Sequence, residues 1–148
     1  MFVTPQTDEE RLTRILAVWA GASVVVGSGL WVLGRVQRSQ RIEGFGRQTV
    51  MWGAIDGAIA GAGELSRRRR GPQTLEQRAQ QRTRLRRILT INAVADLAYV
   101  AGGIAAIKRD SAGKARRLNS GDGAAIVVQG AFLLGLDSTF AVRLAKQS

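Results

Sequence analysis

Neither cysteine nor histidine occurs anywhere in the 148 residues. Without cysteine there is no disulfide, no thiolate metal site and no redox thiol. Without histidine the usual haem and zinc ligand and the usual neutral-pH proton shuttle are missing too. Proline appears twice and tyrosine once, and lysine supplies only three of the 22 basic residues, the other nineteen being arginine. That bias reads as the base composition of a GC-rich genome and not as a set of phosphate forks. Acidic residues number 11, which leaves a net charge of +11. Such charge invites a nucleic-acid reading when it lines one face of a soluble element. Here the basic residues sit at the ends of apolar blocks, while Trp19, Trp31 and Trp52 lie within the blocks. Nucleic acid is therefore not an expected partner.

What is present is length without charge. Ile15 to Gly34 runs for twenty positions with no charged side chain, between Arg11 and Arg14 on one side and Arg35 and Arg38 on the other. Twenty helical residues rise about 30 Å, the thickness of a bilayer's hydrocarbon core. Further apolar blocks lie near 48–65, 88–107 and 123–142, so a mean hydropathy of −0.02 averages greasy segments with arginine-rich ones. The expected fold is all-α, a single four-transmembrane-helix bundle over residues 1–148. Asp8, Glu9 and Glu10 spoil the basic start of a secretory signal, so the first block is expected to be retained.

Local signals divide the chain. Thr7 with Glu10 and Thr74 with Gln77 are capping boxes, and Asn119 or Ser120 can cap a fourth helix. A first loop is expected near 36–46 and a basic loop over 66–87, where Arg67–Arg70 stop the second span and Gly71-Pro72 breaks the chain. From Leu75 a long helix should lead into the third span. Arg11-Leu-Thr-Arg-Ile-Leu16 matches Arg84-Leu-Arg-Arg-Ile-Leu89 at five of six positions, which suggests two helical hairpins in tandem about an axis along the membrane normal. Thirteen basic residues flank the spans on the side of the termini and the middle loop, against nine on the other. Both termini are accordingly expected in the cytoplasm of a bacterial cell, with the chain multi-pass in its inner membrane. Arg67, Arg68, Arg69, Arg70, Arg86 and Arg87 are the candidates for contact with anionic lipid headgroups.

Two patterns within the spans carry most of the structural expectation. Gly53, Gly57 and Gly61 recur every four residues, a flat ridge along which a neighbouring backbone can approach. A large residue at Gly57 is expected to disrupt assembly far more than one at Gly27. Three spans also carry an acid: Asp56, Asp96 and Asp137, joined by Asn92, Tyr99 and Gln129. An Asp at a helix centre costs roughly 2.5–3.5 kcal/mol on insertion. Asn92, Asp96 and Tyr99 form one helical stripe, as do Gln48, Trp52 and Asp56. With no Arg or Lys in any span, these carboxyls are expected to share protons through a buried network that fixes helix register, or else to hold a proton or cation.

No catalytic residue, metal set or cofactor is expected. There is no Gly-rich phosphate loop or nucleophile setting, and the acids lack the Gly-Asp context of intramembrane Asp chemistry. Small multidrug exporters place their essential acid in the first helix, where this chain has none. The segments Met51-Trp52-Gly53-Ala-Ile-Asp56, Asn92-x-x-x-Asp96-x-x-Tyr99 and Gln129-Gly-Ala-Phe-Leu133 with Asp137 cover most of the apolar sequence. In them the chain resembles uncharacterised four-helix bacterial integral membrane proteins grouped as a domain of unknown function. That resemblance implies a fold and no activity. The expected role is a non-enzymatic binding or accessory subunit, in contact with the lipid bilayer and with other membrane subunits or copies of itself. The alternative is a proton- or cation-coupled transporter or channel using Asp56, Asp96 and Asp137.

Overall fold

A computed structural model describes residues 7–114 and 117–146, which form four α-helices and no strand. Helix α1 spans Asp8–Val36, α2 Gln40–Arg69, α3 Leu75–Ser111 and α4 Ser120–Ala145. The helix starts follow local chemistry. Thr7, Thr74 and Asn119 each accept from the backbone of the first turn while Glu10, Gln77 and Asp122 reach back, three complete capping boxes. Ser39 caps α2 by accepting from Ile42 N–H.

The turns are shorter than expected. The first loop is not 36–46: α2 begins at Gln40, and only 37–39 are non-helical. Arg38 takes a left-handed φ of 54° there, which a side chain tolerates at a cost of about 1–2 kcal/mol. The tight turn is possible because Gly34 lies against the backbone of Ile42 and Glu43, where a Cβ would sit 2.2 Å from Glu43 N. The basic segment 66–87 is mostly helix: α3 starts at Leu75 as expected, and α2 runs on to Arg69. The fourth helix starts at Ser120, three residues before the expected span. Helix α3 closes on Gly113 (φ 68°), with Lys114 N–H reaching back to Arg109 O at 2.8 Å.

The helices pair as two hairpins, α1 with α2 and α3 with α4, joined along α2 and α4 with α1 and α3 on the outside. The described residues thus give a loop end (37–39, 112–114 and 117–119) and a terminal end (the start of α1, 70–74 and the end of α4). Three helices, α1, α3 and α4, are long and apolar enough to cross a membrane. Helix α2 is not among them, being interrupted by Asp56 and rich in glycine.

Core and surface are inverted relative to a water-soluble bundle. Half of the buried hydrophobic residues are alanines, and the large ones, Leu89, Leu136, Phe140 and Leu144, cluster at the terminal end. The remaining interior is polar: Ser23, Gln48, Asp56, Asp96, Ser120, Asp122, Gln129 and Asp137 are all buried. Meanwhile Val18, Val25 and Val94 are 67%, 73% and 65% exposed.

Candidate functional site

The polar interior is assembled by helical periodicity. Gln48, Trp52 and Asp56 fall at intervals of four on α2, and Asn92, Asp96 and Tyr99 share a stripe of α3. Gln129 and Asp137 come from α4. Asp56, 1% exposed, accepts a hydrogen bond from the Gln129 amide. The Gln129 oxygen in turn accepts Trp19 Nε1–H at 2.9 Å, so one carboxamide links α1, α4 and α2. Trp19 is held in place by stacking on Phe132, with ring centroids 3.8 Å apart and planes 8° from parallel. One acceptor and one donor on a single side chain are thereby satisfied in opposite directions, which fixes the amide's orientation.

The other two acids stand near this relay. Asn92, Asp56 and Asp96 all lie within electrostatic reach of the Asp137 carboxyl. Asp96 is 3% exposed, yet its Oδ2 has no hydrogen-bond partner among the described residues. Trp52 meets Tyr99 edge-on at 5.1 Å, joining the α2 and α3 stripes across helices whose backbones do not touch. Trp52 Nε1 and Gln48 Oε1 are also buried and unpartnered. Tyr99 enters this cluster through its ring. Of the six polar residues singled out from the sequence, Asp56, Asp96, Gln129 and Asp137 are buried together, whereas Asn92 and Tyr99 are exposed at the edge of that interior. Among the described residues no three acids are arranged to hold a metal ion.

A second buried polar centre, absent from the sequence expectations, lies at the loop end. Asp122 is fully buried, accepts from Arg47 at 2.8 Å and from Asn119 N–H at 2.9 Å, and so both caps α4 and ties it to α2. Arg41 Nε–H donates to Ser120 Oγ at 2.7 Å. Ser120 N–H reaches Asp110 at 2.6 Å, and the Ser120 hydroxyl, then this backbone bond, holds the Asp110 carboxyl below the usual carboxylate range. The signal for Asp122 was the Asn119-x-x-Asp122 spacing. For Trp19 it was no more than an aromatic in mid-span.

The glycine ridge packs at one end only. A Cβ on Gly53 would meet Ala20 O at 2.9 Å, one on Gly57 would find Ala20 Cβ at an ordinary 3.7 Å, and Gly61 has nothing within 4 Å. Helices α1 and α2 diverge below Gly53, opening a groove of about 980 Å³ beside Ala17, Gly21, Gly57 and Gly61. The expected ranking of Gly57 over Gly27 is reversed. Gly27 lies so close to α2 that a Cβ would be 2.8 Å from Val50 N, and one on Gly46 would be 2.2 Å from Trp31 N. Of the six candidate headgroup arginines, Arg67 bonds Glu10 and Glu64 at 2.7 and 2.8 Å, Arg68 bonds Glu64 at 2.6 Å and Arg70 pairs with Glu9. Arg69, Arg86 and Arg87 are exposed.

Residues 15–138 match the family of unknown function DUF6992, and the chain belongs to that family. No curated protein and no solved structure matches it.

Proposed function

We propose that this member of the DUF6992 family is a small integral membrane protein that acts by binding and not by catalysis, as an accessory or assembly subunit or as an oligomer. The observation that supports this reading is the inversion of core and surface. Buried acids and amides are surrounded by outward-facing Val18, Val25, Val32, Ile59, Ile91, Val94 and Leu97. Hydrocarbon accepts those side chains and demands that polar groups be paired internally, as the Trp19–Gln129–Asp56 relay is. Helix α2, too polar to insert alone, is held by close glycine contacts with α1 and α4. Exposed Arg69, Arg86 and Arg87 then sit at the level of anionic headgroups, and the bias of basic residues puts the termini in the cytoplasm of a bacterial inner membrane.

The test is retention in membranes through an alkaline carbonate wash, then mild-detergent purification with mass spectrometry of co-migrating proteins. Asp56→Asn, Asp96→Asn and Asp137→Asn, made singly, should keep both fold and partner. Quantitative release by the wash would end the membrane reading. The unpartnered Asp96 oxygen favours a second reading, proton- or cation-coupled transport. Flux in proteoliposomes that disappears in folded Asp96→Asn would put it in place of the first.

A further inference from the structure

The buried polar groups are stacked in a column with unlike ends. At the loop end stands the Arg47–Asp122 pair, whose arginine side chain is 47% exposed. Gln48 follows it on α2, Trp52 meets Tyr99 about one turn lower, and Asp56, Gln129 and Asp96 come about one turn below that. Asp137 lies lower again, with the exposed Asn92 beside it. There the interior changes character. Leu89, Leu136, Phe140 and Leu144 close the terminal end, with Leu12, Ile15 and Leu85 packed around them.

Of the four buried side-chain atoms without a partner among the described residues, three lie in the column, Gln48 Oε1, Trp52 Nε1 and Asp96 Oδ2, and the fourth, Trp31 Nε1, is on α1. Buried polar atoms are almost always paired, so orphaned ones stacked on one path point to something that exchanges with them. Around Asp96 stand Asp56 and Trp52 from α2, Asp137 from α4, and Asn92 and Tyr99 from its own helix, with no basic group among them. Asp56 is engaged by Gln129 and Asp137 has Asn92 beside it, whereas Asp96 Oδ2 is fully buried with no hydrogen-bond partner among the described residues.

We propose that the column is a one-sided access path through which Asp96 takes up and releases a proton from the loop end, while the leucine–phenylalanine cluster closes the terminal end. The step is a simple protonation. Hydronium at the loop end gives up H⁺, an O–H bond forms on the Asp96 carboxylate, and water is left; release reverses it. A divalent ion is a poor alternative, since no three acids among the described residues converge. The proposal rests on the membrane reading above and refines its second form.

Because the chain has no cysteine, a single introduced thiol reports access without background. Gln48→Cys and Leu136→Cys would be reconstituted into vesicles of fixed orientation and exposed to a membrane-impermeant, cationic methanethiosulfonate reagent. Labelling of Gln48→Cys from the loop face alone, and of Leu136→Cys from neither face, is expected. Should either variant fail to fold, infrared difference spectra of the unmodified chain give the second reading. A protonated-carboxyl band should disappear when pH is raised at the loop face, be lost in Asp96→Asn and stay unmoved by pH at the terminal face. A band that Asp96→Asn leaves in place, or labelling from the terminal face, overturns the proposal while the membrane reading stands. Release of the chain by the carbonate wash overturns both.

Discussion

Replacing Gln129 by leucine removes the carboxamide that ties three helices together at nearly constant volume. Its oxygen accepts from Trp19 of α1 at 2.9 Å and its amide donates to Asp56 of α2. Two estimates of the cost compete. By the standard of soluble proteins, each orphaned partner costs about 1–3 kcal/mol, hence roughly 2–6 kcal/mol for the pair. In a bilayer the separated helices find other partners, and interhelical bonds average about 0.6 kcal/mol with a maximum near 1.7. The Asp56 bond belongs at the upper end, because that residue is 1% exposed. The half-buried Trp19 belongs near the mean, giving about 2 kcal/mol in all. Reversible unfolding by increasing sodium dodecyl sulfate, read by far-UV circular dichroism, would measure this. A double-mutant cycle with Asp56→Leu isolates the pair. Since the double variant buries no orphaned carboxylate, it should be more stable than Gln129→Leu alone. Additivity of the two single effects within about 0.3–0.5 kcal/mol would refute the idea that the relay sets helix register.

The glycines should divide by what faces them. Gly121→Ala places a Cβ 1.8 Å from Arg41 O and should cost about 3 kcal/mol or more, whereas Gly61→Ala meets nothing and should gain up to about 1 kcal/mol of helix propensity in the same unfolding assay. Arg47→Ala leaves the fully buried Asp122 with only its capping bond and should cost about 1–3 kcal/mol, a loss that Asp122→Asn in the same chain should partly restore. At the loop end, Asp110 is held below its ordinary range by Ser120, so its contribution is complete at neutral pH. It should be lost as pH falls below about 3.9 and through the lower folded-state value. The decline of the unfolding midpoint below about pH 3.9 should therefore flatten in Asp110→Asn, and an unchanged profile would show that the contact contributes nothing.

Helix starts were legible because they are local. Thr7, Thr74 and Asn119 each satisfy orphan donors of their own first turn, and that chemistry needs no knowledge of neighbours. The turn between α1 and α2 was not legible for the opposite reason. Gly44 and Gly46, read as loop residues, are inside α2, where a Cβ would meet the Asn119 side chain at 2.5 Å or Trp31 N at 2.2 Å. A glycine signals either a break or a close approach, and only the helix that arrives opposite it decides which. The same ambiguity reversed the ranking of Gly27 and Gly57. Spacing in fours marks a smooth face, but the level at which two helices touch is set by the tight turn at Gly34 and by the divergence below Gly53.

The acids of the interior could be found because a charge in an apolar run is conspicuous whatever surrounds it. Their partners could not. Trp19 looks like any aromatic of a membrane-length segment until α4 brings Gln129 to its indole N–H. Asp122 was hidden by a boundary drawn at residue 123, since an acid at a helix start is ordinarily a solvated cap. Here the cap is fully buried because Gly44 and Gly121 let α2 and α4 approach at that level, and burial in turn requires Arg47. The two facts are one: small residues admit the backbone, the backbone excludes solvent, and exclusion obliges every polar atom nearby to find a partner or to exchange with something mobile. Arg47 and Gln129 supply partners for two of the four buried acids, Asp122 and Asp56. Asp96 sits on the α3 stripe, which meets α2 through the Trp52 and Tyr99 rings and not through backbone contact, and no donor among the described residues reaches its buried Oδ2.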